Sequence, residues 1–319
     1  MDLSKAIQLM RGAQNPEEAE EGAKALVALT GGTGLRADRV AALQANGVDY
    51  ESRCKECVDL GAVMFLVVAL NTHRGVAGVV ENVFGALGNI AGIEAGGEAS
   101  VSAGAVPAIV AALKAHPSIA DVAESACAAL RNIAGIETGQ AACVSAGAVP
   151  AIVDALTTHR SVADVAVRAC WALTNITSNY PAGKEASVSA GAVPAIVGAF
   201  MAHPSNVGVA ENACSALRNI SGVPAGQLAI VSAGAVPVLV AALKAHPSIA
   251  AVAEQACKAL FNVGSIPSHK ATIVAAGAVP VLADVFSALT GSARVRAHDT
   301  LDLLGYNDNG SKREKILVG

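Results

Sequence analysis

Five asparagines recur along the chain at nearly equal intervals, and their side-chain amides are suited to binding a peptide backbone. They are Asn89, Asn132, Asn175, Asn219 and Asn262, separated by 43, 43, 44 and 43 residues. An amide side chain carries both a donor and an acceptor. In a stacked repeat, equivalent positions form a row whose helices lie about 8–10 Å apart. Such a row can hold alternate peptide groups of an extended chain. The alternative is structural, with each amide bonding neighbouring backbone and capping its helix.

The residues that surround the asparagines add charge and one aromatic ring. The ring is that of Trp171, and the charged candidates for partner contacts are Arg131, Arg218, Glu124 and Glu211. Each arginine directly precedes an asparagine and could pair with an acidic partner side chain. Each glutamate lies eight residues before an asparagine, as do Glu81 and Glu254. Because opposite charges lie side by side, the partner's charge is not predicted. A solvated helix face is the simpler interpretation of both charged sets.

Histidine and cysteine also recur, but their spacing argues against metal or redox chemistry. The histidines are His73, His116, His159, His203 and His246. One imidazole per repeat cannot share a zinc ion, because Zn–N bonds are only about 2.0–2.1 Å long. A structural role near a helix C-terminus is predicted instead. Within the Cys54–Cys57 pair, Cys57 shares its repeat position with Cys143, which is a core position, so the pair is interpreted as part of the core.

No motif of an enzyme active site is found in the sequence. The chain contains no GxxxxGK, GxSxG or HExxH segment, so phosphate cradles, nucleophile elbows and this type of zinc site are not indicated. We therefore predict a protein that is not an enzyme and has no cofactor and no metal site.

One repeated segment must position all of these side chains. Gly-Ala-Val-Pro begins at Gly104, Gly147, Gly191, Gly234 and Gly277, and Gly61 begins a variant with Met64 in place of proline. A period near 43 residues indicates a stacked solenoid. Each period is predicted to contain three helices. A short helix ends at Ala-Gly, a second begins at Val-Pro, and a long third carries apolar residues at three- and four-residue spacing.

This pattern resembles the armadillo repeat family. The resemblance depends on three helices per unit, the glycine-proline elbow, and Ala-x-x-Leu-x-Asn near the end of the third helix, and it covers about residues 50–305. The segments Ala126–Ile133, Ala169–Ile176 and Ala213–Ile220 carry that ending. The resemblance implies an all-α, right-handed superhelix that binds a protein segment on the concave face of the third helices. HEAT repeats are the second choice, because they usually have two helices per unit and lack this asparagine.

Two departures from the family argue against a nuclear-import receptor. The family's peptide binders often carry a tryptophan one turn before the asparagine. Here only Trp171 does so, and the resemblance therefore implies that Trp171 is a partner contact. The importin-alpha type has acidic residues just after the asparagine, where this chain has Ile93, Ile136 and Ile266.

The predicted organisation has three parts. Residues 1–58 form an N-terminal cap with a degenerate repeat, residues 59–305 form about six armadillo units, and residues 306–319 form a polar C-terminal tail. Within the cap, helices are predicted over residues 4–10, 17–29 and 36–46, with a turn at residues 30–34. A terminal repeat must cover an apolar face with polar groups, so its sequence is expected to depart from the pattern.

Composition narrows the function classes. A net charge of −4 and an aromatic content of 3% argue against nucleic-acid binding. The longest apolar runs, such as residues 61–70, are too short to span a bilayer. The N-terminus lacks the pattern of a secretory signal. Together with seven cysteines, this predicts free thiols in a reducing, intracellular compartment, the cytoplasm first and the nucleus as the alternative.

These observations predict a non-catalytic scaffold or adaptor that binds an extended or helical protein segment. Three alternatives are a structural subunit that docks by its flank or end surfaces, an armadillo-type chaperone cofactor, and a consensus-derived chain with no natural partner. The last is motivated by the recurrence of Ala111–Ala120 at Ala241–Ala250. The irregular N-terminus and Trp171 favour a natural gene. The sequence does not determine the oligomeric state.

Overall fold

The computed structural model describes residues 2–12, 15–31 and 49–313, and these residues contain 20 α-helices and one short 3₁₀ helix. The prediction of an all-α fold is confirmed. The helices predicted at residues 4–10 and 17–29 are present as α1 (Leu3–Gly12) and α2 (Pro16–Leu29). The predicted helix at residues 36–46 and the turn beyond Gly31 lie outside the described residues.

Six three-helix repeats follow the two N-terminal helices. The first helices are α3 (Tyr50–Asp59), α6 (Glu94–Ser102), α9 (Glu137–Ser145), α12 (Pro181–Ser189), α15 (Pro224–Ser232) and α18 (Lys270–Ala275). The second helices are α4 (Ala62–Thr72), α7 (Ala105–Ala115), α10 (Ala148–Thr158), α13 (Ala192–Ala202), α16 (Ala235–Ala245) and α19 (Ala278–Ala288). The third helices are α5 (Ala77–Ile90), α8 (Ala120–Ile133), α11 (Ala163–Thr177), α14 (Val207–Ile220), α17 (Ala250–Gly264) and α20 (Gly291–Leu304).

A glycine elbow joins the first and second helices of each repeat. Gly104 has a φ of +74°, and the equivalent glycines have φ between +69° and +76°. An L side chain rarely adopts this left-handed conformation, which explains why glycine recurs there. The elbow bends the chain by 73–80° in repeats 2 to 6. The second helix begins at Ala105 rather than at the predicted Val-Pro, so Pro107 lies in the first turn, where no N–H is needed.

The third helices of repeats 1 and 2 pack closely because their facing side chains are small. Ala126, Cys127 and Ala129 of α8 are fully buried. A Cβ added to Gly88 of α5 would lie 3.3 Å from the Cα of Ala129, which is tighter than ordinary contact. Small residues at these positions let adjacent helix backbones approach each other, and the approach sets the spacing of the asparagine row.

The chain divides into two compact units, Met1–Ile176 and Thr177–Gly319. In the first unit, α2 packs against the third helix of repeat 1 and α1 packs against its second helix. The two N-terminal helices therefore occupy the places of a second and a third helix. A Cβ added to Gly78 of α5 would approach the Glu20 carboxylate to 2.5 Å, so glycine there admits the acidic side chain of α2.

In the second unit, the part of the predicted polar tail that the structure describes folds back as a closed turn. Tyr306 pairs with Lys312 through an isolated antiparallel bridge, and the Arg313 side chain forms an ion pair with Asp302. Gly310 lies against Val279 and Ala283 of α19. These contacts attach the turn to repeat 6.

Among the described residues, no single helix is both long enough and apolar enough to cross a membrane. Five pairs of consecutive helices meet the length and composition criteria only when each bent pair is taken together.

Candidate functional site

Three asparagines of the row donate their side-chain amides to the preceding third helix. Asn132 Nδ2 donates to the Gly88 carbonyl at 2.6 Å and Asn175 Nδ2 donates to the Arg131 carbonyl at 2.8 Å. Asn262 Nδ2 lies 3.4 Å from the Arg218 carbonyl and 2.9 Å from Ser221 Oγ. The acceptor carbonyl belongs to the residue just before the preceding asparagine. The row therefore connects successive repeats, in agreement with the structural alternative, and leaves part of each amide for other contacts.

Asn89 differs from the other members of the row because it is buried. The residue is only 2% exposed, and Nδ2 donates to Thr30 Oγ1 at 3.1 Å and to the Val27 carbonyl at 3.4 Å. Helix α2 and the residue that follows it supply these acceptors, so the cap covers this amide. Asn132, Asn175, Asn219 and Asn262 are all partly exposed.

A second set of hydrogen bonds fixes the C-terminal ends of the third helices. Gln140 Nε2 donates to the Asn175 carbonyl at 2.8 Å, and Gln227 Nε2 donates to the Asn262 carbonyl at 2.9 Å. Cys54, on the first helix of repeat 1, lies 3.5 Å from the Asn89 carbonyl. Because the last carbonyls of a helix lack intrahelical partners, these side chains of the first helices hold the backbone beside the asparagines in place.

Arg131 lies against Trp171 and is buried. Its guanidinium carbon is 4.2 Å from the centroid of the Trp171 ring, within the range of a cation–π contact. Its Nε and Nη2 donate to Asn132 Oδ1 at 3.0 Å and 2.7 Å. The residue is 3% exposed. Arg218, the equivalent in repeat 4, donates instead to Gln255 Oε1 at 3.1 Å. The two predicted partner-binding arginines therefore have different surroundings.

A groove of about 600 Å³ lies beside Asn132 and Asn175 in the first unit. Its polar and aromatic lining comprises Glu94, Arg131, Asn132, Glu137, Trp171 and Asn175. We call it the unit 1 groove. The structure thus brings together Arg131, Asn132, Trp171 and Asn175 from the predicted set. Glu124 and the residues of the second unit are not part of its lining.

Sequence reasoning missed two acidic residues of the unit 1 groove. Glu94 and Glu137 are exposed residues in the first turns of α6 and α9. Carboxylates are favourable at a helix N-terminus because they compensate the helix dipole. They directly follow Ile93 and Ile136, the positions at which acidic residues were expected for the importin-alpha type. The preference for an acid in the first turn could have identified them.

The predicted acidic row divides into different environments. Glu124 Oε1 lies 3.5 Å from Arg168 Nε, whereas Glu211 is exposed. Burial, followed by the charges of Asp121, Glu124 and Glu20, raises the pKa of Glu81. Hydrogen bonds from Lys258 and then Ser292 lower the pKa of Glu254. Glu124 therefore contacts Arg168, and Glu254 contacts Lys258 and Ser292.

The histidines also connect neighbouring repeats, through the turns between the second and third helices. His116 Nε2 lies 2.8 Å from the Arg74 carbonyl, His159 Nε2 lies 2.9 Å from the Pro117 carbonyl, and His246 Nε2 lies 3.0 Å from the Pro204 carbonyl. Because a carbonyl accepts, Nε2 carries the proton. The predicted structural role is present, but the acceptor belongs to the turn of the preceding repeat rather than to the histidine's own helix. Among the described residues, no group of three metal-binding side chains is close enough to hold an ion.

All seven cysteines are free and buried. Burial, followed by the neighbouring Cys54, raises the pKa of the Cys57 thiol to about 12. Burial likewise raises the pKa values of Cys127, Cys143, Cys214 and Cys257 to about 12. A thiolate is the reactive form of cysteine, so these thiols are poor nucleophiles at neutral pH.

Repeat 4 matches the family model described as Armadillo/beta-catenin-like repeat over residues 181–222. This span contains all of α12, α13 and α14. The chain belongs to the armadillo repeat family. As an armadillo protein it has the three-helix repeat that its sequence predicted. None of the curated proteins compared with the chain matches it.

Solved structures similar to this armadillo chain include engineered proteins. One, from the Northeast Structural Genomics Consortium, is 29% identical with a TM-score of 0.79, and the match covers 97% of this chain and 70% of that one. Another from the same consortium is 30% identical with a TM-score of 0.67, over 83% of this chain and 97% of that one. A designed armadillo repeat protein in complex with the peptide (KR)4 is 22% identical with a TM-score of 0.64, over 82% of this chain and 100% of that one. At that identity the likeness is one of fold.

Proposed function

We propose that the protein is a non-catalytic interaction scaffold or adaptor that binds an extended segment of another protein in the unit 1 groove. The main observation behind this proposal is that the Asn175 amide uses only part of its hydrogen-bonding capacity within the described structure. One of its N–H groups donates to the Arg131 carbonyl, whereas Oδ1 and the second N–H have no partner among the residues that the structure describes. A peptide group presents one donor and one acceptor, and this amide offers the complementary pair.

The surroundings of Asn175 support a groove rather than a flat surface as the binding site. Asn132 lies on the preceding third helix and lines the same groove. The hydrogen bond from Gln140 to the Asn175 carbonyl holds the end of α11 in place. The hydrogen bond from Asn175 Nδ2 to the Arg131 carbonyl holds the Asn175 side chain. A preorganised site loses less entropy when it binds. Seven free thiols support the additional proposal that the protein works in a reducing compartment such as the cytoplasm.

Selection of random displayed peptides against the intact chain tests this function. Selected peptides are then titrated against the wild type and against Asn132→Ala/Asn175→Ala, with the free energy of unfolding measured separately. We expect at least about tenfold weaker binding, which corresponds to roughly 1.4 kcal/mol of lost hydrogen bonding.

The matched control is Asn89→Ala. Asn89 has the same repeat position but is buried beneath α2, so its loss is expected to lower stability and leave peptide affinity unchanged. If the double variant binds selected peptides as tightly as the wild type, the groove is not the binding site. Docking through a flank surface would then be the better interpretation.

A further inference from the structure

We propose that Arg131 is a specificity-determining residue of the unit 1 groove, because it occupies the ring face and the amide oxygen that a cationic partner side chain would otherwise use. This inference rests on the proposed function, since it concerns which peptides the groove accepts. It assigns to Arg131 a role opposite to the one that its charge alone suggests. The arginine excludes basic side chains from Trp171 rather than pairing with acidic ones.

Three contacts hold Arg131 in this place. The guanidinium lies over the Trp171 ring at 4.2 Å. Its Nε and Nη2 both donate to Asn132 Oδ1. Its backbone carbonyl accepts the hydrogen bond from Asn175. The residue is therefore attached to α11 through both its side chain and its backbone. With 3% exposure, it is part of the wall of the groove and does not extend into solvent.

These contacts occupy a face of the Trp171 ring and the lone pairs of Asn132 Oδ1, which limits what a partner can bind. A cation–π contact needs the face of the ring, and the Arg131 guanidinium already covers a face of Trp171. Two donors fill the two lone pairs of Asn132 Oδ1, so Asn132 retains only an N–H for a partner carbonyl. The carboxylates of Glu94 and Glu137 also line the groove and attract cations. A basic side chain is thus drawn to the groove but kept from the aromatic ring.

The chain contains its own matched control. Arg218 has the same position in repeat 4, but Lys258 stands where repeat 3 has Trp171. Without a ring beside it, Arg218 donates to Gln255 at 3.1 Å. The neighbouring ring, rather than the arginine alone, creates the occupied site. Thr174 shows that the position accepts a residue without charge.

The test compares the wild type with Arg131→Met, which keeps an apolar stem and removes the guanidinium. Arg131→Thr is a second variant that introduces the residue type found at Thr174, and Arg218→Met is the control. The probe is the alternating peptide (KR)4, with titrations followed by peptide anisotropy and by the fluorescence of Trp171. We expect roughly fivefold tighter binding to both Arg131 variants, the size of one part-exposed cation–π contact. The Trp171 emission should change only in these variants. Adding Trp171→Leu to Arg131→Met should remove the gain.

The outcomes separate this inference from the proposed function. A Trp171-dependent gain in the Arg131 variants, absent in Arg218→Met, supports the inference. If display-selected peptides bind the wild type while (KR)4 shows no such gain, the role of Arg131 is overturned and the groove function stands. If display selection yields no peptide for the wild type or for either Arg131 variant, the groove function fails and the inference fails with it.

Discussion

The side-chain amide of Asn175 donates a 2.8 Å hydrogen bond to the backbone carbonyl of Arg131, 44 residues earlier in the chain. Asn132 makes the same connection to Gly88. A single N–H of each amide therefore joins neighbouring third helices, and the rest of the amide lies at the groove. The two interpretations of the asparagine row, structural joint and peptide contact, are compatible at Asn175. At Asn89 the amide is buried and donates to Val27 and Thr30 of the N-terminal cap.

The first prediction concerns this division between Asn89 and Asn175. Asn89→Ala removes the amide that donates to Thr30 and Val27 in a buried site, so we expect the free energy of unfolding to fall by about 1–3 kcal/mol. The partly exposed Asn175→Ala should cost about 1 kcal/mol. Urea denaturation measures both values. A cost for Asn175→Ala equal to or above that for Asn89→Ala would contradict the assignment.

The second prediction concerns the histidine row. His159→Phe keeps a planar ring but leaves the Pro117 carbonyl without its donor, so we expect a loss of about 1–2 kcal/mol of stability. His73→Phe is the matched control. His73 Nε2 is a buried nitrogen without a hydrogen-bond partner in the part of the chain that the structure describes. Its removal should be neutral or slightly stabilising, and thermal or urea denaturation of both variants checks the difference. Equal effects would refute the inter-repeat role of the row.

The third prediction concerns the thiols. Because burial raises the pKa of Cys57 to about 12, we expect iodoacetamide at pH 8 to leave the native protein almost unlabelled and to modify all seven cysteines after denaturation. Mass spectrometry of the peptides gives the extent at each site. Rapid labelling of Cys54 or Cys57 in the native protein would restore the redox interpretation of this pair.

The fourth prediction concerns two glutamates with opposite pKa shifts. The folded protein raises the pKa of Glu81 above its ordinary value of 4.5, so the stability linked to Glu81 is present below that pH and is lost as the pH rises. Glu81→Gln should therefore stabilise the protein at pH 7, and the advantage should disappear below about pH 4.5. The measurement is urea denaturation across this pH range.

Glu254 provides the opposite control. Its pKa is lowered by Lys258 and Ser292, so its stabilising effect is present above the unfolded pKa and is lost as the pH falls. Glu254→Gln should destabilise the protein at pH 7. The same sign for both variants would show that the described surroundings of the two carboxylates do not control their titration.

The repeat architecture could be predicted because its signals are local. The glycine before Ala-Val-Pro requires a left-handed backbone, and Gly104 has a φ of +74°. The period of the apolar residues located the third helices, and the repeat position of Cys143 placed it correctly in the core. These features depend on sterics and burial within one repeat and its immediate neighbours.

The contents of the candidate site could not be predicted in the same way. The contact between Arg131 and Trp171 joins residues 40 positions apart and depends on rotamers of two adjacent helices. From its position in the sequence alone, Arg131 could be identified only as a residue able to pair with an acidic side chain of a partner. The burial of Asn89 depends on α2, whose sequence departs from the repeat. Both results come from tertiary packing that a repeat pattern does not encode.

The most direct test of the groove as a peptide site is an NMR titration of the asparagine side-chain amides. The protein is labelled with ¹⁵N, the resonances of Asn89, Asn132 and Asn175 are assigned by substitution, and a display-selected peptide is added. We predict that the Asn175 and Asn132 amides shift and exchange more slowly with solvent, while the buried Asn89 amide stays unchanged. Peptide binding that leaves the Asn132 and Asn175 resonances unmoved would contradict the account.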